Sequence, residues 1–165
     1  MDVETLAADD WKILRDVRLR ALEDSPTAYI SSRQTEITWT EARWRRSFED
    51  SVWVVAGSRP EIVGMARSVR VEHRPAFERH LESVWVEPGH RRTGVLRTLL
   101  RYLAELEPAV LEWRVWVLTD NVEARTAYER LGFRSTGERQ PLNDPSGRSE
   151  ERLGLSLGGY DRHRL

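Results

Sequence analysis

The chain has 165 residues, 39% of them hydrophobic and 32% charged, with a formal net charge of −1. That describes a globular domain able to bury a core, and it removes the positive field that a nucleic-acid or anionic-membrane partner needs. Cysteine is absent, which excludes disulfides, thiolate zinc sites and a cysteine nucleophile, and no signal peptide or long apolar run appears, so the expectation is a cytoplasmic protein.

Met1 to Leu6 reads as a short edge strand. Asp9 or Asp10 can cap a first helix through Trp11, Leu14, Val17, Leu19 and Leu22, which Ser25-Pro26 ends because the residue before proline is pushed out of helical geometry. Thr27 to Thr38 reads as irregular. Thr40 then caps a second helix over Glu41–Glu49, with Trp44 and Phe48 four apart on one face. Ser51 to Ala56 and Ile62 to Val71 form a hairpin around Gly57 and Ser58-Arg59-Pro60. After a loop over Glu72–Phe77, Arg79 to Val86 is a strand stopped by Pro88-Gly89.

A third helix begins at Gly94 and closes at Pro108. Leu111 to Leu118 is a strand dense in β-formers, and Asn121 to Leu131 is a helix ended by Gly132, with Phe133 placed to pack back as in a Schellman cap. Phe133–Arg139 and Glu151–Leu157 are final strands around a polar loop. The order β-α-α-β-β-β-α-β-α-β-β makes residues 1–165 one mixed α/β domain.

The strand-to-helix junction offers several unpaired amides, one glycine permitting close approach and flanking arginines, a combination that suits a diphosphate. The P-loop needs Gly-Lys-Ser/Thr, but the one lysine is Lys12; the dinucleotide fingerprint needs three spaced glycines, and only Gly94 is present. Val84-Trp-Val-Glu-Pro-Gly-His-Arg-Arg-Thr-Gly-Val95, together with Asn121-Val-Glu-Ala-Arg-Thr-Ala-Tyr-Glu-Arg-Leu-Gly-Phe133, resembles the GCN5-related N-acetyltransferases, the GNAT superfamily. The first segment is similar to their Arg/Gln-x-x-Gly-x-Gly/Ala motif and departs from it at Leu96, whose side chain either narrows the diphosphate seat or points to the core. The second is similar to their Asn-x-x-Ala-x-x-x-Tyr-x-x-x-Gly-Phe run.

The resemblance implies a mostly antiparallel sheet of about seven strands flanked by about four helices, and acetyl-CoA as co-substrate. The coenzyme would be held by Arg91, Arg92, Thr93, Gly94, Val95 and Leu96 on the diphosphate. Backbone groups of Val84, Trp85 and Val86 would hold the pantetheine arm where two strands splay, and Asn121 would add a polar contact. Tyr128, two helical turns after Asn121 and so on its face, takes the family position of the acid that protonates the leaving thiolate. His80 and Glu82, two apart on one strand face, are the candidate bases for an amine acceptor; the alternative is a solvated polar face.

The acceptor, a primary amine of a small molecule or of a peptide or protein, would enter between Ser25–Trp44 and Arg139–Glu151, with Tyr29, Glu36, Trp39 and Glu41 available to receive a cation. A non-catalytic acyl-CoA-binding module is the alternative function. His73, His90 and His163 are isolated, so no metal is expected. The tryptophans read as core or strand-face packing, and the arginines at 43, 45 and 46 as a solvated helix face. Leu153, Leu155 and Leu157 alternate as an apolar face through which a homodimer could pair.

Overall fold

The computed structural model describes residues 1–158 and 165; His163 lies outside the described residues. In chain order it contains β1 (Val3–Leu6), α1 (Trp11–Asp24), α2 (Arg33–Glu36), α3 (Glu41–Arg46), β2 (Ser51–Ser58) and β3 (Glu61–Val69). There follow β4 (Glu78–Val86), α4 (Val95–Leu106), β5 (Glu112–Leu118), α5 (Val122–Arg130), β6 (Arg134–Pro141) and β7 (Ser149–Ser156). All seven strands join one sheet in the order β1-β2-β3-β4-β5-β7-β6. Every neighbouring pair is antiparallel except β4 with β5. This is the mixed α/β architecture that the resemblance implies.

The β2 sequence Ser51-Val-Trp-Val-Val-Ala56 is apolar without alternation because both its faces are covered. Trp53 and Val55 pack with Leu14, Val17, Ala21 and Trp44 of α1 and α3, whereas Val54 and Ala56 pack with Leu99, Leu100 and Leu103 of α4. Helix α4 comes close enough to β3 that a Cβ on Gly64 would lie 2.7 Å from Val95 Cγ1. Helix α5 ends in the expected Schellman geometry. The Phe133 amide donates to the Tyr128 carbonyl and the Gly132 amide to that of Glu129, with Gly132 at φ +99°.

Three expectations are corrected. The stretch read as irregular contains α2, whose N-cap Ser32 accepts from the Thr35 amide at 3.2 Å. The second expected helix stops at Arg46, its last carbonyls taken by a turn through Ser47 and Phe48. Leu153, Leu155 and Leu157 are buried within the α4–α5 core, so the face on which the homodimer expectation rests is already covered. Among the described residues, no helix is long and apolar enough to cross a membrane.

Candidate functional site

Strands β4 and β5 pair only from Glu78↔Glu112 to Leu81↔Val115, although β4 continues to Val86 and β5 to Leu118. The parting coincides with a bulge. Arg67 pairs with Glu82 and Met65 with Trp85, so two residues of β4, Ser83 and Val84, oppose Ala66 alone. Ser83 sits at φ +52°, a left-handed conformation that costs a non-glycine residue strain and is held by its surroundings. Beyond the bulge lies a cleft of about 150 Å³, lined by both strands, the loop after α1, the start of α5 and the β6–β7 connection.

At one end of the gap is the Arg91–Gly94 turn. Arg92 at φ +65° and Gly94 at φ +94° alternate with Thr93, leaving the amides of Thr93 to Leu96 without a backbone acceptor among the described residues. A Cβ on Gly94 would meet nothing within 4 Å, so the space above these amides is open. The first turn of α4 carries no acidic residue that would repel an anion. These residues fit a diphosphate. Of the two orientations that the sequence allows, Leu96 takes the one packed against the α4–α5 core.

Arg91 acts differently from its expected role. Its Nε donates to the Val86 carbonyl at 3.0 Å and its Nη2 is bound to Asp24. Asp24 also accepts from Trp85 Nε1 at 3.0 Å and from the Ser25 hydroxyl at 2.8 Å. Burial pushes the Asp24 carboxyl up, but these hydrogen bonds and the Arg91 charge outweigh it and hold it below the usual range. The Arg91 guanidinium is thus a strut between α1 and the end of β4, which leaves the backbone amides of this turn and the exposed Arg92 as the groups free to meet an anion.

Tyr128 and Asn121 both line the cleft. The Asn121 side-chain oxygen accepts from the Ala124 amide at 3.1 Å as the cap of α5. Tyr128 is 6% exposed, with its ring edge-on to Phe133 at 5.3 Å, and burial raises its phenol well above the usual value. It therefore keeps its proton throughout the neutral range.

His80 and Glu82 meet different neighbours, and no relay is assembled between them. His80 is buried, and its Nε2 lies 3.0 Å from Arg152 Nη2. Arginine has no acceptor, so Nε2 accepts and the proton sits on Nδ1, which has no partner among the described residues. Burial, reinforced by the Arg152 charge, lowers the His80 pKa to about 4. Its one lone pair is occupied, and it does not line the cleft. Glu82 does line the cleft, exposed, with Arg67 Nη1 3.5 Å from its carboxylate.

The expected acceptor residues divide. Tyr29 lines the cleft and donates to the Val84 carbonyl at 2.9 Å. Glu36 is buried beneath Arg18, Trp39 packs on Trp44 at 4.9 Å, and Glu41 pairs with Arg45, so none of these three waits for a cation. A contact without a sequence signal closes one side. Arg148 reaches the Asp120 carboxylate twice at 3.1 Å and the Thr27 carbonyl at 2.9 Å, stitching the β6–β7 connection to the loop after α1. Among the described residues no cluster of His, Asp or Glu is arranged to hold a metal.

Residues 16–133 match the Acetyltransferase (GNAT) family. The chain is 30% identical over 111 residues to the N-alpha-acetyltransferase RimI of Mycobacterium tuberculosis, covering 66% of this chain and 70% of that protein. An uncharacterised Mycobacterium leprae protein is 32% identical over 111 residues, 66% of this chain, which spans only 31% of that relative's length. The fold is shared with the ribosomal-protein-S18-alanine N-acetyltransferase of Escherichia coli: TM-score 0.69, 20% identity, 95% of this chain and 94% of that one. It is shared as well with yncA of Salmonella typhimurium, solved with acetyl-CoA: TM-score 0.72, 17% identity, 96% of this chain and 94% of that one. Two motifs, a parallel pair that opens beside unpaired amides, and a match over most of its length lead to one conclusion: the chain belongs to the GNAT acetyltransferase family.

Proposed function

We propose that this chain is an acetyl-CoA-dependent N-acetyltransferase that acts on a primary amine by direct transfer. The observation that carries the reading is the opening of β4 from β5 beyond Leu81 and Val115, with free amides at Thr93–Leu96 and Tyr128 in the cleft wall. Acetyl-CoA, when bound, supplies an acetyl group activated as a thioester. Thr93 to Leu96 hold the diphosphate by their amides, with Arg92 beside them, and the β4 segment Val84, Trp85 and Val86 takes the pantetheine arm along the gap, with Asn121 at its flank. Tyr128, protonated at neutral pH, donates from its hydroxyl to the departing sulfur. Three carboxylates line the cleft; Asp144 is bound by the Ser146 hydroxyl and Glu150 by the Gln140 amide. That leaves Glu82 as the first candidate to take the acceptor's proton, directly or through water, and His80 is not one because Arg152 holds its lone pair.

This supply of bases favours an acceptor that needs little deprotonation. An α-amine, with a pKa of about 7.7–8.0, is partly free base at neutral pH, whereas a lysine amine at about 10.4 is almost wholly charged. One relative is named as an N-alpha-acetyltransferase and one structure of the same fold as a ribosomal-protein-S18-alanine N-acetyltransferase, which supports the same choice, so a peptide N-terminus is the first acceptor to test. A thermal-shift comparison tests the coenzyme assignment. CoA at about 100 times its dissociation constant adds about 2.7 kcal/mol, a rise of roughly 5–10 °C for a chain of this size, while NAD and ATP give much less. Equal shifts with NAD, or none with millimolar CoA, contradict it.

A further inference from the structure

The buried Arg18–Glu36 pair has no part in the chemistry above, and such a pair is costly to keep. Glu36 is 2% exposed and Arg18 8% exposed. The carboxylate takes Arg18 Nη2 at 2.9 Å and Nε at 3.0 Å, a two-pronged grip that fixes the guanidinium plane. That plane lies 4.8 Å from the ring centroid of Tyr29, and the Tyr29 hydroxyl donates to the Val84 carbonyl at 2.9 Å. Val84 is the second residue of the β4 bulge, next to strained Ser83. The chain of contacts thus runs from a buried ion pair, through one aromatic ring, to the backbone of the transfer site.

We propose that Tyr29 is a positioning residue for acyl transfer: it fixes the Val84 carbonyl at the bulge, and the Glu36-held Arg18 fixes Tyr29. A bulge held by strain has more than one peptide orientation within reach, and a single directed hydrogen bond selects one. Burial pushes the Tyr29 phenol up to about 12, so the donor persists across the working pH range. The proposal rests on the N-acetyltransferase reading and adds to it a residue outside both sequence motifs.

The test uses the whole chain and two variants. Tyr29→Phe removes one hydroxyl and keeps the ring beneath Arg18. Its kcat for thiol release should fall by about 10- to 100-fold, the scale of a misplaced reacting group, while the acceptor KM stays within about threefold. The melting temperature should fall by only about 2–4 °C, and the Val84 carbonyl carbon resonance should move. Glu36→Gln should lower kcat in the same direction, and the double variant should be no slower than Tyr29→Phe alone, because both act through one contact. An unchanged kcat in Tyr29→Phe, a defect confined to the acceptor KM, or an unmoved Val84 resonance each overturns the inference, whether or not Glu36→Gln folds. A parent chain that releases no thiol with any amine overturns the functional reading itself and the catalytic part of the inference with it.

Discussion

At Tyr128 a single oxygen separates structure from chemistry. Its ring is held by Phe133 at 5.3 Å, so Tyr128→Phe keeps the packing and should change the melting temperature by no more than a few degrees. Turnover should fall by roughly 10²–10⁴-fold, the usual weight of one general acid, read as thiol release at saturating acetyl-CoA; a variant as fast as the parent removes Tyr128 from the mechanism. His80 makes the opposite kind of prediction, one of stability. Its folded pKa, about 4, lies below the ordinary imidazole value of 6.5, so between those values the unfolded chain binds a proton that the folded chain refuses. The stabilisation is fully present above pH 6.5 and is lost as pH falls toward 4, by up to about 3 kcal/mol. Urea titrations should show the parent weakening from pH 7 to 5 more than His80→Gln does; parallel losses contradict this. Tyr128 was legible as a candidate because the Asn121–Phe133 run resembles the family's motif, and the structure puts its ring in the cleft wall. The fate of His80 was not, because its partner Arg152 lies 72 residues away and arrives only through β7.

Two glycines of the α4 layer separate packing from binding. Gly94 lies at φ +94° with open space where a Cβ would stand; Gly64 lies under α4 with Val95 Cγ1 2.7 Å from that point. Gly94→Ala should cost about 1 kcal/mol of backbone strain yet weaken CoA by about tenfold or more, because the methyl would enter the proposed diphosphate seat. Gly64→Ala should cost about 1–3 kcal/mol by forcing α4 off the sheet. Calorimetric titration and thermal melts on both variants check the contrast, and equal CoA affinity in Gly94→Ala and the parent contradicts the seat. At this scale much was legible: the cap at Thr40, glycine at the end of α5, and alternating or continuous apolar runs marked the elements that span the sheet. What was not legible came from tertiary contact. Helix α2 is one short turn whose Glu36 is held under Arg18 of α1, and the β4 bulge rests on a left-handed serine that no local rule announces. Arg91 reads as a phosphate ligand until Asp24, 67 residues earlier, takes its guanidinium.

For the whole molecule, the sheet order joins two halves, β1–β4 and β5-β7-β6, through one short parallel pairing, and the cleft opens where that pairing ends. The cleft, with Tyr128 in its wall, and the proposed coenzyme and acceptor sites along it therefore follow from one topological event. The loop after α1 and the β6–β7 connection, stitched by Arg148, close one side of the cleft, the side proposed for the acceptor. Strand β6 at the outer edge is exposed throughout and shifts register between Ser135 and Arg139, an irregularity that blunts the edge against pairing with another sheet. The most direct test of the account is thiol release from acetyl-CoA with a peptide bearing a free N-terminal alanine, compared with the same peptide blocked at its α-amine and carrying a lysine. The account predicts that thiol appears in step with acetylation of the free N-terminus, and much more slowly with the blocked peptide. No thiol release with any amine, from a protein that CoA nonetheless stabilises, contradicts the enzyme and leaves a coenzyme-binding module in its place.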